Sequence, residues 1–374
     1  MKVMFSTSAG YGHFLPVVPL AWAARASGHE VLVAATGAAL LACGRAGLPA
    51  VEISPAPATE GGDYPPLVDQ TQPPSSPGTL GARKLPTLGY AMPDRQMAAL
   101  IIAAIESWRP DVIVTEFNDD MAPTAAGFHS IPIVLHGLGI LPMGQTERRR
   151  QPRAVSAFER LGINTMPPKA AAMLDTCPPS MRESGRAAAW PMRFVPYNGG
   201  GVRPDWLDER PSSVRVCVTL GTVVPAIISM SEVEAVIDGM RDVDAEVIFV
   251  LGDVDCTPLG ALPNNVHRTG WVPLSELLPT CAVIVHHGGA GTTMTAVAAG
   301  VPQLILPFRE GDAVHRRGIG LTLTQEELEP LTIGRSVGRL LREPSFSIAA
   351  DEVKRENAAQ PSLFEVVRRL ESLV

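Results

Sequence analysis

Charge is scarce in this sequence. Only 18% of the 374 residues are Asp, Glu, Lys or Arg, against a typical ~25%. Lys and Arg total 31 and Asp and Glu 38, giving 31 − 38 = −7. Nucleic-acid binding needs clustered basic surface, and the one dense basic run, Arg148-Arg149-Arg150, reads as a solvated loop. Nucleic acid is therefore excluded as a partner. Cysteine is also sparse. Cys43, Cys177, Cys217, Cys256 and Cys281 are scattered and form no CxxC pair, which argues against a zinc ribbon or thioredoxin-like site. Cys217 and Cys281 read as core thiols. No apolar run reaches the ~18 residues of a bilayer span. The N-terminus turns polar too early for a secretory leader. The expected setting is cytoplasmic and reducing, with no membrane partner.

What the sequence has in quantity is apolar material, 46% of residues, enough for two cores at ~150 residues per domain. Short Val- and Ile-rich runs alternate with helix-like stretches. Val3–Ser6, Glu30–Ala35, Ala50–Ile53, Val112–Glu116 and Pro132–His136 read as strands. Their continuous rather than alternating apolarity suits parallel sheets covered on both faces. Leu15–Ser27 and Gln96–Trp108 carry helical spacing, with Gly28 as a stop. The Pro-, Gly- and Ser-rich stretch Glu60–Asp94 reads as a long loop. The glycine triplet within Pro191–Pro204 reads as a linker. Beyond it the alternation resumes, with strands at Val214–Leu220, Glu246–Leu251, Val283–His286 and Gln303–Leu306 and helices at Ser231–Arg241 and Thr293–Ala299. The fold class is α/β, with two doubly wound Rossmann-like domains. The apolar residues of Pro361–Leu373 share one helical face.

Three motifs can carry chemistry. Gly10-Tyr11-Gly12-His13-Phe14-Leu15-Pro16 follows the first strand and opens a helix, so His13 stands where ligands of open α/β sheets bind. The third glycine of a dinucleotide fingerprint is missing. Val285-His286-His287-Gly288-Gly289-Ala290-Gly291-Thr292-Thr293 runs from a strand through glycines into a helix, the geometry that holds phosphates on backbone N–H groups. No Gly-Lys-Ser/Thr follows, so it is not a Walker loop. Its adjacent histidines point to opposite faces, one toward phosphate and one inward. In the third motif, Gly270-Trp271-Val272-Pro273-Leu274, a Trp at a strand end either stacks on a nucleobase or packs in the core. Asp253-Val254-Asp255 resembles a metal-binding aspartate pair, a pattern common by chance. Asn118-Asp119-Asp120 reads as a helix cap. No metal site is expected.

In this order and spacing the motifs resemble those of bacterial GT-B glycosyltransferases, specifically the deoxysugar transferases of macrolide, enediyne and aromatic polyketide biosynthesis. The resemblance covers nearly the whole chain. It is strongest from Trp271-Val272-Pro273-Leu274 through His286–Thr292 to Gly300-Val301-Pro302-Gln303 and Pro307. Gly12-His13, Pro16 and Val195-Pro196-Tyr197-Asn198-Gly199 also fit.

The resemblance implies an acceptor domain at 1–197, a nucleotide-sugar domain at 198–360, and a last helix, 361–374, returning to the first. It implies an inverting displacement with neither metal nor cofactor. His13 would be the general base, oriented by Glu116 where the family usually has Asp, with Asp119 as competitor. Thr222, His287, Gly289, Gly291 and Thr292 would hold the diphosphate, Trp271 and the Val272 backbone the base, and Asp312 the sugar. Leu274 favours a dTDP sugar over a UDP sugar. The Gln that commonly follows the sugar-binding Asp is missing, and the segment after Pro307 is short. The partners implied are a dTDP-deoxysugar donor and a hydrophobic polyketide-type acceptor, with a homodimer left open. Three alternatives stand beside this reading: a C-glycosyltransferase, a non-catalytic transferase-activating homologue, and a nucleotide-dependent oxidoreductase.

Overall fold

The computed structural model describes residues 1–53, 95–141, 154–183, 189–209, 211, 213–221, 230–250, 261–307 and 311–374. The loop at Glu60–Asp94, the arginine run, Thr222, Asp253 and Asp255 lie outside them.

Among the described residues, thirteen strands form two parallel sheets. The first joins β1 (Lys2–Ser6), β2 (Glu30–Ala35), β3 (Ala50–Glu52), β4 (Val112–Glu116), β5 (Ile133–His136), β6 (Ala172–Asp175) and β7 (Trp190–Pro191) in the order β3-β2-β1-β4-β5-β6-β7. The second joins β8 (Arg215–Thr219), β9 (Glu246–Val250), β10 (Val266–Thr269), β11 (Val283–His286), β12 (Gln303–Ile305) and β13 (Gly320–Thr322) in the order β10-β9-β8-β11-β12-β13. Both are doubly wound. The strand order reverses between β1 and β4 in one and between β8 and β11 in the other. Ligand crevices in such sheets lie beyond the carboxyl ends of the strands at these reversals.

Both faces of the first sheet are covered, as its continuous apolar strands require. On one face Val3, Phe5, Val33, Val114 and Val134 share a core with the helix Val18–Ala26. On the other, Met4, Ala34 and Ile113 pack under the helices Arg95–Trp108 and Met121–His129. The last helix, Leu363–Glu371, belongs to the first of these cores through Val366, Val367 and Leu370, all fully buried. Its start is fixed by a capping box in which Ser362 and Glu365 exchange hydrogen bonds. Its end is tied by the His29–Glu371 pair at 2.9 Å. Among the described residues, no helix is long and apolar enough to cross a membrane.

The chain passes from the first sheet to the second through residues 192–214 and returns near Pro361. Asn357 bonds both backbone groups of Phe194, accepting from its N–H and donating to its carbonyl, each at 3.0 Å. The glycine triplet is not a slack tether. Gly199 lies against the Trp271 ring and Gly201 against Pro273. Asn198 donates to Thr295 Oγ1 at 3.1 Å and accepts from the Ser275 N–H at 3.0 Å. Cys217 is buried as expected, whereas Cys281 is only partly so, because it precedes β11 rather than lying in it.

Candidate active site

Glu116 is the last residue of β4, beside the reversal point, and its side chain is fully buried. Ser8, two residues past β1, donates to Oε1 with its N–H at 3.2 Å and its hydroxyl at 2.7 Å. The Asn118 N–H donates to Oε2 at 2.7 Å. The fourth bond is to His13, whose Nδ1 lies 3.1 Å from Oε2. Burial alone would push this carboxyl up. Attraction to the His13 ring and the hydrogen bonds from His13, Asn118 and Ser8 outweigh burial and hold it below its ordinary value. An ionised Glu116 accepts the proton of His13 Nδ1, which leaves Nε2 as the basic nitrogen. His13 sits in a short helix, Tyr11–Phe14, and its side chain keeps 18% of its exposure. The Asn118 amide stands 3.4 Å from the same Nδ1.

Asp119 is committed elsewhere. Its Oδ1 accepts the Met121 N–H at 3.0 Å and the Ala122 N–H at 3.4 Å, and its Oδ2 accepts from the Thr115 hydroxyl. It therefore caps the helix Met121–His129, and Glu116 is the carboxylate facing His13.

Across the molecule, β11 ends at His286, and the helix Ala290–Ala299 starts with Gly289 as its cap residue. The N–H groups of Ala290, Gly291 and Thr292 fall in its first turn, where they have no partner within the helix and carry the positive end of its dipole. The His287 ring is held between Gly221 and Gly289, and a Cβ on either glycine would collide with it. His286 points the other way. It is fully buried, and burial pushes it down to about 4, partly opposed by its bond to Gln303. One histidine faces the turn and one faces inward, as the strand geometry requires.

Trp271 follows β10 and is 45% exposed, with Gly199 against its ring. The Val272 side chain is buried in the second domain's core, so only its backbone is left to meet a ligand. Asp312 is exposed and opens the short helix Asp312–Arg317 that follows β12. Among the described residues, no group of three or more His, Cys, Asp or Glu is placed to hold a metal ion.

The structure thus joins His13 to Glu116 at one reversal point and gathers His287, Gly289, Gly291 and Thr292 at the other. Ser8, Gly221 and the Gln303 contact are the parts sequence reasoning misses. Ser8 has no signal beyond its place after β1. Gly221 could have been found as the glycine closing β8 opposite the histidine pair.

Two Rossmann-like units with such crevices are the GT-B architecture, and the relatives of this chain make it a glycosyltransferase. Residues 22–221 match the N-terminal domain of the family described as erythromycin biosynthesis protein CIII-like, and residues 234–373 match its C-terminal domain. The chain belongs to that family. It is 37% identical to the elloramycin glycosyltransferase ElmGT of Streptomyces olivaceus, over 99% of this chain and 97% of that one. Among solved structures it resembles the glycosyltransferase SnogD of Streptomyces nogalater, with a TM-score of 0.77, 34% identity, and 100% and 99% of the two chains covered. It also resembles the spinosyn rhamnosyltransferase SpnG complexed with thymidine diphosphate, with a TM-score of 0.78, 26% identity, and 99% and 100% covered. SpnG is also known complexed with spinosyn aglycone.

Proposed function

We propose that this enzyme moves a deoxysugar from a dTDP-sugar to a hydroxyl of a hydrophobic, polyketide-type acceptor, with inversion and without a metal. The observation that carries this reading is the buried Glu116 carboxylate bonded to His13 Nδ1 at the reversal point of the first sheet. That bond fixes the tautomer in which Nε2 takes the acceptor's proton as its oxygen attacks the anomeric carbon. The bond to the diphosphate breaks on the opposite face, and dTDP leaves. The charge growing on its phosphate oxygens is met by His287 and by the N–H groups of Gly289, Gly291 and Thr292. Trp271 and the Val272 backbone meet the base, and Asp312 meets the sugar. The thymidine diphosphate and aglycone complexes of SpnG support this choice of donor and acceptor.

The test is to incubate the enzyme with a panel of dTDP- and UDP-deoxysugars and polyketide aglycones, and to assign each product's anomeric configuration by NMR. Transfer from dTDP donors with inversion is expected. Retention, or activity confined to UDP donors, would overturn the reading.

A further inference from the structure

The inward histidine has a job of its own. His286 closes β11, and Gln303 opens the neighbouring strand β12 on the same face of the sheet. Both are fully buried. The Gly288 N–H donates to His286 Nδ1 at 3.1 Å. The proton of this imidazole must then be on Nε2, which donates to Gln303 Oε1 at 2.9 Å. The Gln303 amide closes the circuit, donating to the Thr293 carbonyl at 3.4 Å in the helix that follows. Three bonds through two side chains thus encircle the turn from residue 287 to residue 293. At its bend Gly288 holds a φ of +82°, which favours glycine.

We propose that His286 and Gln303 are positioning residues for the donor diphosphate, holding the Gly288 turn in its binding shape before the ligand arrives. This rests on the reading of that turn as the diphosphate site. The device requires a neutral imidazole. A second proton would sit on Nδ1 and face the Gly288 N–H, donor against donor. An uncharged amide at 303 accepts the Nε2 proton without drawing in another. A carboxylate would stabilise the imidazolium instead. Burial favours the neutral form further, with His286 lowered to about 4. The circuit takes up the Gly288 N–H, so the diphosphate is left to the N–H groups from Gly289 onward and to His287.

The experiment compares Gln303→Glu with the wild-type enzyme. Calorimetry with dTDP, and separately with thymidine, is run across a pH series. Gln303→Glu is expected to weaken dTDP by about tenfold, the size of one hydrogen bond lost at the site. Affinity should recover as pH rises and the imidazolium loses its extra proton. Thymidine, which carries no phosphate, should bind both proteins alike. The His287 ring lies 6.3 Å from His286 between centroids and is present in both proteins, so the two are compared at each pH of the series. Equal dTDP affinity at every pH would overturn the proposal. Nitrogen-15 NMR of the wild-type protein tests it without a variant: His286 should carry its proton on Nε2 alone, and a proton on Nδ1 would overturn it. A wild-type enzyme that does not bind dTDP would sink the donor reading, a failure distinct from these.

Discussion

At the scale of single residues, Glu116 and Asp119 divide two tasks that adjacent carboxylates could have shared. Glu116 faces His13, and Asp119 holds the start of a helix. Glu116→Gln should therefore lower turnover with a modest change in melting temperature. Asp119→Ala should cost about 1 kcal/mol of stability and leave turnover of the remaining folded protein largely intact. Paired kinetics and thermal melts would show this crossing of effects, and the reverse pattern would exchange the two roles. His13→Ala should lower turnover by at least about 100-fold while leaving dTDP affinity, measured by calorimetry, unchanged, because the donor is assigned to the other domain. A well-folded variant with near-normal turnover would remove His13 from the chemistry. Of this site, the histidine is legible in the sequence because it follows a recognisable strand, and its carboxylate because the family resemblance points to the end of β4. Ser8 is not, since its part depends on which side chains the folded loops bring within 3 Å or so of one another, whereas the helix cap read at Asn118-Asp119-Asp120 is supplied by Asp119.

At the scale of elements, legibility follows composition. β2, β4 and β11 lie where continuous apolar runs put them. β6, β7, β10 and β13 escape notice because, besides being two to four residues long, they carry no run of Val or Ile. β10, Val-His-Arg-Thr, is also polar on its exposed side. Such strands are made by pairing with a neighbour already in place rather than by their own pattern. The first helix begins at Tyr11, before the apolar spacing that starts at Leu15, since Gly10 at its cap and Gly12 within it carry no periodic signal. The amphipathic helices Pro330–Arg342 and Pro344–Ala359 sit in a stretch that motif reading passes over. Two predictions belong to this scale. The proposed function gives the N-terminus of Ala290–Ala299 the electrostatic work of a divalent cation, so transfer is expected to continue at full rate in EDTA. Loss in EDTA with recovery in Mg²⁺ would direct attention to Asp253 and Asp255. In the last helix, Leu370→Ala empties a fully buried site and should cost roughly 2–5 kcal/mol, read by denaturant titration. A loss under 1 kcal/mol or so would mean that the helix is only loosely seated on the first core.

At the scale of the whole molecule, the two passages of chain between the domains are fastened side by side. Asn357 bonds both backbone groups of Phe194, and the Arg193 N–H donates to the Pro361 carbonyl at 2.9 Å. Asn357→Ala leaves two buried backbone groups without their partner, at about 1–3 kcal/mol each. Calorimetric unfolding should then start at lower temperature, and an unchanged profile would mean that water replaces the amide at no cost. The seat of the last helix also has a consequence for biosynthesis. A ribosome working at ~5–20 residues per second finishes the first sheet long before it reaches Val366, Val367 and Leu370. For tens of seconds by that rate the part of the first core that Val366, Val367 and Leu370 close lacks its cover. The first half of this protein to be made is thus the last to be finished, and its exposed face is where a chaperone would engage the growing chain.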